Sequence, residues 1–259
     1  MDIMAVRIEF CGVPASGKST LCAAALRLLR ARNRTVLDRE ATVDEGLRSR
    51  NFGVLGNLLG ALAPGWRRKF LGLPHGLDDW HRFVVDHPAF AALIHGWLAE
   101  GEAGVTWRAP LFYALLTSAF EFQLSLAAKH PVLLDEGFAQ RFFSLRGYRG
   151  LGRPGDAARY AEAMPLPAAL VVVATSPEIC VERVKQRDHF PVLSQGEAVS
   201  LLPVRFAEGD ALLAALAAEL ERCGIPVLRV KGDGDWEAAA GEIAGFAESI
   251  LARKREECE

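Results

Sequence analysis

The chain has 259 residues, of which 51% are hydrophobic and 24% charged, and its formal net charge is −2. That length and balance support one large buried core and exclude a disordered or fibrous chain. The near-neutral charge provides no general attraction for a polyanion, so nucleic acid is not an expected partner.

Val6, Ile8 and Phe10 alternate as in a strand, and a helical pattern starts at Lys18. Between them runs Gly12-Val13-Pro14-Ala15-Ser16-Gly17-Lys18-Ser19-Thr20, a glycine-bracketed loop closed by Lys-Ser. In a loop of this pattern successive backbone N–H groups meet phosphate oxygens at the positive end of a helix. Lys18 would reach the β- and γ-phosphates, and the Ser19 hydroxyl would sit on Mg²⁺. The expected nucleotide-binding set is therefore Gly12, Ala15, Ser16, Gly17, Lys18, Ser19 and Thr20, and the expected ligand is a nucleoside triphosphate.

Leu21, Ala25, Leu28 and Leu29 continue the helix, and Thr35-Val36-Leu37 reads as a second strand ending on Asp38-Arg39-Glu40. A carboxylate there, Asp38 or Glu40, could take a proton from an acceptor hydroxyl or hold Mg²⁺ through water. Arg39 could hold an anionic acceptor or pair with a neighbouring acid. Residues 41–130 read as a long, broken helical insert, punctuated by Pro64, Gly65, Pro74 and Pro88. Trp66, Trp80, Trp97 and Trp107 fall inside it and read as core, with a hint of a large apolar pocket or lid. Trp66-Arg67-Arg68-Lys69 reads as a solvated basic turn. Pro110 is expected to open a helix reaching about Lys129; Glu121 and Gln123 in its apolar run argue for a core helix, not a membrane span.

Pro131-Val132-Leu133-Leu134-Asp135-Glu136-Gly137 reads as a buried parallel strand and its exit turn. Asp135 is expected to hold the metal or its waters. Glu136 would polarise water in a hydrolase, or orient and deprotonate an acceptor in a phosphotransferase. Arg141 and Arg146 follow as weaker candidates for acceptor contacts. After a glycine-rich break at 147–155, Ala169 to Ala174 is the most strand-like segment of the chain. Ser176 then caps a helix opened by Pro177 and carrying Arg183 and Arg187 at i and i+4. Two guanidiniums aimed at a transferring phosphate would neutralise its charge; with Glu182 and Lys185 alongside, the competing reading is a salt-bridged surface helix. A loop at 188–195, a helix with Leu213, Leu216 and Leu220, a strand at Ile225 to Val230, a turn at Lys231 to Asp235 and a closing helix complete the chain.

Strands alternating with helices predict an α/β protein with about five parallel strands covered on both faces. Every candidate polar cluster lies just past a predicted strand end, where such sheets bind ligands. The five cysteines form no C-x-x-C pair and read as a reduced, mostly buried cytosolic set; the six histidines show no pairing, so zinc is not expected. The first strand begins within a few residues of Met1, leaving no room for a signal peptide. A soluble, cytoplasmic protein without membrane insertion is expected, and a homodimer stays an open option.

Ile8-Glu9 leading into Gly17-Lys18-Ser19-Thr20-Leu21, together with Asp38-Arg39-Glu40-Ala41, the helix from Pro177-Glu178 to Arg187, and Lys231 to Trp236, resembles the P-loop kinases of the nucleoside and nucleotide kinase group, in particular the thymidylate kinases. The resemblance implies a three-layer P-loop NTPase sandwich with five parallel strands, ATP with Mg²⁺, and phosphoryl transfer under a closing lid at 183–196. It implies an acceptor-side turn at Arg39 and a last turn, with Asp233, that helps hold the adenine; one domain over 1–259 is expected, with residues 41–130, which match no part of that family, as an acceptor-side insert and Arg141 as a further acceptor contact. Val13-Pro14-Ala15-Ser16 stands where thymidylate kinases carry an acidic residue, and Asp135-Glu136 stands where they carry Asp-Arg. Losing that arginine removes a contact expected for a nucleotide phosphate acceptor, so an uncharged or sugar-like hydroxyl is the expected acceptor. The catalytic set on this reading is Lys18, Asp38, Glu40, Glu136, Arg183 and Arg187, with Ser19 and Asp135 on the metal. The alternatives are an ATPase or regulatory switch hydrolysing ATP through Asp135-Glu136, and a nucleoside monophosphate kinase.

Overall fold

The computed structural model describes residues 6–49, 77–100, 105–147, 150–186 and 199–257. Among these residues the sheet has four strands, β1 (Arg7–Cys11), β2 (Val132–Leu134), β3 (Ala169–Ala174) and β4 (Val227–Lys231), in the order β2-β1-β3-β4. All pairs are parallel, with Glu9 opposite Leu134 on one side and Leu170 on the other. Buried parallel strands need apolar side chains on both faces, which is why β2 and β3 read as unbroken apolar runs.

The expected second strand, Thr35-Val36-Leu37, does not form; only Leu37 makes an isolated parallel bridge to Val132. Its N–H donates to the Pro131 carbonyl at 2.8 Å, and its carbonyl accepts from Leu133 N–H at 2.9 Å. The flanks leave no room for more. Asn33 sits at φ 57° in the turn that ends the first helix, and Asp38 already caps the next one through a 2.7 Å bond from Ala41 N–H to its Oδ1.

Helices α1 (Lys18–Ala31), α2 (Arg39–Ser49), α3 (77–86), α4 (Pro88–Ala99) and α5 (Val105–Leu126) precede β2. After β2, α6 (Phe138–Phe142) runs into a π-helical turn at Phe143–Gly147, and α7 (Asp156–Ala163) leads to β3. Helices α8 (Pro177–Lys185), α9 (Leu202–Arg222) and α10 (Trp236–Glu256) complete the chain. Pro110 does not open α5 as expected but lies inside it, one and a half turns from the start. Lacking an N–H, it forfeits only the bond to the carbonyl four residues back, and the helix continues through it.

Alternation along the strands divides the core into two layers. Ile8, Phe10, Val171 and Val173 face one side, where Leu21, Ala25 and Leu29 of α1 meet Ile243, Ala247 and Ile250 of α10. Cys11, Leu170 and Val172 face the other, against α4 to α9. Helices α3 to α5 of the insert share this second core, through Phe83, Phe90, Trp97, Leu115 and Phe122, with no boundary of their own. Of the insert's tryptophans, Trp97 is buried and stacks on Tyr160, with ring centroids 5.7 Å apart, and Trp80 stacks on Phe83. Trp66, Arg67, Arg68 and Lys69 lie outside the described residues. Arg146 is drawn into this core: it pairs with Asp156 at 2.8 Å and Glu100 at 2.7 Å, and its guanidinium lies over the Trp97 ring.

Cys11, Cys22 and Cys180 are buried free thiols, and Cys223 is exposed. Among the described residues no helix is long and apolar enough to cross a membrane, and no group of three or more His, Cys, Asp or Glu side chains gathers as a metal cluster.

Candidate functional site

The chain leaves β1, passes to the β2 side, and returns across β1 to reach β3. Such a reversal opens a crevice at the carboxyl end of β1, and the 12–17 loop lies there. Ala15 and Gly17 adopt left-handed conformations, with φ of 64° and 94°. Ser16 N–H turns back to the Val13 carbonyl at 3.1 Å, and Gly12 N–H donates to the buried Gln140 Oε1 at 3.0 Å. Helix α1 begins at Lys18 with no side-chain cap. Its first N–H groups, on Lys18, Ser19 and Thr20, therefore have no intrahelical acceptor, the arrangement that receives an anion at a helix N-terminus. Among the described residues the buried Ser16 hydroxyl also has no hydrogen-bond partner.

Two side chains from beyond β3, Thr175 and Arg183, brace the loop. Thr175 Oγ1 donates to the Ser16 carbonyl at 2.8 Å. Arg183 donates through Nη1 to the Ala15 carbonyl at 3.2 Å and through Nη2 to the Gly232 carbonyl at 3.0 Å. Gly232 N–H in turn donates to the Ala174 carbonyl at 2.8 Å. The approach at Gly232 is so close that a Cβ there would overlap the Ser16 carbonyl oxygen, and it would also press on Thr175 Oγ1. Gly232→Ala is expected to cost about 1–3 kcal/mol and to displace the loop. A chemical-denaturation midpoint equal to that of the wild type would contradict the placement.

On the other side of Lys18 stands a group of charges. Lys18 is buried, and its Nζ lies 4.0 Å from Glu136 Oε1. Burial lowers its pKa, against the pull of Glu136 and Asp135. Glu136 Oε2 accepts from Arg141 Nη2 at 3.3 Å, and Arg141 Nε donates to Ser118 Oγ on α5 at 2.9 Å. Burial pushes the Glu136 carboxyl up, but Arg141, Lys18 and Arg39 together outweigh it and hold it below the ordinary range. Arg39, at the start of α2, donates through Nε to Glu121 on α5. Burial raises the Glu121 pKa, with Arg39 and Arg141 opposing the rise.

The structure thus brings Lys18, Arg39, Asp135, Glu136 and Arg141 of the expected set into one electrostatic group. Asp38 has its Oδ1 on Ala41 N–H, and its Oδ2 lies 3.3 Å from Arg30 Nη2. Glu40 is exposed in the first turn of α2, and Ser19 and Thr20 are exposed at the start of α1. Asp233 Oδ2 accepts from Ser176 N–H at 3.3 Å, which ties the last turn to the start of α8. Arg183 lies on α8, which is described as far as Lys185. Arg187 and most of the 183–196 lid segment lie outside the described residues.

Glu121, Ser118, Gln140 and Thr175 enter the site without having been singled out for it. Glu121 had a signal, a charge in the most apolar stretch of the chain; Gln140 had none. A further acid, Asp210 on α9, is half-buried close to Cys11 and Cys180, and burial pushes it up to about 6 from an ordinary 3.8. The native state therefore holds this proton more tightly than the unfolded chain does. The effect is absent below about pH 4, grows as the pH rises towards about 6, and is a full destabilisation above that. Asp210→Asn is expected to melt higher than the wild type above pH 6 and no higher below pH 4, which a series of melting temperatures against pH would check.

No protein-family model and no curated protein matches the chain.

Proposed function

We propose that the protein is a P-loop phosphotransferase that moves the γ-phosphoryl group of Mg-ATP to a hydroxyl of a small molecule, a nucleoside, sugar-like compound or other alcohol. One observation carries this reading. Lys18 stands at an uncapped helix N-terminus behind the left-handed loop and faces Glu136, with Asp135 beside it. The loop amides and Lys18 would bind the triphosphate, and Ser19 and Asp135 would hold Mg²⁺ largely through its waters, which asks for only one or two protein oxygens. The metal, when bound, offsets charge on the β- and γ-oxygens.

Transfer forms a bond from the acceptor oxygen to the γ-phosphorus and breaks the bond from that phosphorus to the β–γ bridging oxygen, so ADP leaves. The acceptor proton passes to a carboxylate, Asp38 or Glu40. Glu136 suits an orienting role, because Lys18 and Arg141 keep it ionised and fixed. Arg183 acts here as a positioning residue that holds the Ala15 carbonyl to the last turn, and Arg187 belongs to the proposed lid. Buried reduced thiols and the use of ATP go with a cytoplasmic location.

The competing reading is an ATPase or switch in which Glu136 polarises water. Against it, the Glu136 oxygens already face Lys18 and Arg141. Release of ADP with and without a panel of alcohols separates the two. The transferase reading expects acceptor-dependent turnover. Acceptor-independent turnover that is lost in Glu136→Gln would favour the hydrolase.

A further inference from the structure

We propose that Glu121 sets the charge of the acceptor: by occupying Arg39 it makes the site select an uncharged hydroxyl compound and reject a phosphate-bearing one. This rests on the phosphotransferase reading above. The six charges that act on one another here are three cations, Lys18, Arg39 and Arg141, and three carboxylates, Glu121, Asp135 and Glu136. The acceptor side of the loop is therefore neutralised from within. Each arginine of the group already has a carboxylate: Arg39 has Glu121, and Arg141 has Glu136 with Ser118 on its Nε.

The two pairs differ in what they would lose. The Arg39 side chain is 40% exposed, whereas that of Glu121 is only 4% exposed. The guanidinium reaches outward from a carboxylate that sits on the inner side of α5. Glu121 Oε2 is buried and has no hydrogen-bond partner, so Arg39 is the one cation bonded to this carboxylate among the described residues. An anion that drew Arg39 away would leave Glu121 as an unpaired buried charge, which is far costlier than loss of a surface pair. An anion that shared Arg39 would face the Glu121 carboxylate across it. A neutral hydroxyl compound meets neither penalty. It can accept from the outward guanidinium N–H groups with the ion pair intact.

The test uses inorganic phosphate as the anion probe, titrated calorimetrically into full-length protein already loaded with Mg²⁺ and a non-hydrolysable ATP analogue. The wild type is expected to show no saturable phosphate binding at millimolar concentration. Glu121→Gln keeps the side-chain shape and removes the charge, and is expected to bind phosphate at least about tenfold more tightly, as a charge-assisted guanidinium–phosphate contact becomes available. The double variant Glu121→Gln with Arg39→Gln should lose that gain, which locates the anion on Arg39. If Glu121→Gln does not fold, Glu121→Met, of similar length and without charge, should show the same gain through Arg39. Phosphate binding in the wild type as tight as in the variants would overturn the inference while nucleotide loading left the kinase reading standing. A folded variant with no gain would overturn it as well. Failure of the ATP analogue to bind wild-type protein would instead remove the phosphotransferase reading, and this inference with it.

Discussion

Lys18→Ala is expected to lower ATP-dependent transfer by about 10²–10³-fold, the loss that follows removal of one preorganised donor at developing charge. The group is buried beside two carboxylates, so its ammonium is already held in place when a triphosphate arrives. It need not be reoriented during transfer, which is why its loss should fall on kcat as well as on nucleotide affinity. The fold should survive. A cation at the first position of α1 opposes the helix dipole, and alanine favours a helix there. Steady-state ADP release with an active acceptor, together with far-ultraviolet circular dichroism, checks both halves. A folded variant with wild-type turnover would refute the role of Lys18.

Glu9→Ala is expected to cost about 3–5 kcal/mol of stability, because it leaves a buried cation without its partner. Arg7 and Glu9 lie on one face of β1, nearly inaccessible, with Arg7 Nε 2.8 Å from Glu9 Oε1. Arg7 also donates to the Pro165 carbonyl at 2.8 Å, and its guanidinium stands over the Phe122 ring. Burial alone already lowers the Arg7 pKa in spite of Glu9. Glu9 has a second duty: its Oε2 accepts from Ala139 N–H at 2.9 Å, at the start of α6. The next residue is Gln140, which takes the Gly12 N–H. Loss of Glu9 should therefore loosen the loop as well as the core and weaken nucleotide binding in the fraction that stays folded. Replacing the pair together, Arg7→Met with Glu9→Leu, should recover much of the stability without restoring the loop contact. A free energy of urea unfolding for Glu9→Ala lowered by less than about 1 kcal/mol would contradict this assignment.

What the sequence made legible was local. Strand β3 stood out because a parallel strand buried on both faces has no polar positions to interrupt it. The 12–17 loop stood out because its glycines and Lys18 are fixed by spacing along the chain. The segment at 35–37 misled because β propensity does not register the turn at Asn33 or the cap at Asp38, which together shorten it to a single bridge. The partners that complete the site were beyond any local pattern. Glu121 lies 82 positions from Arg39, Gln140 lies 128 from Gly12, and Arg183 lies 168 from Ala15. Each pair meets only because the sheet order brings its elements together.

Calorimetric titration of the wild-type protein with Mg-ATP is the most direct measurement. One saturable site is expected, and its heat should be lost or sharply weakened in Lys18→Ala. A wild-type protein, shown to be folded, that gives no heat with Mg-ATP would contradict that expectation.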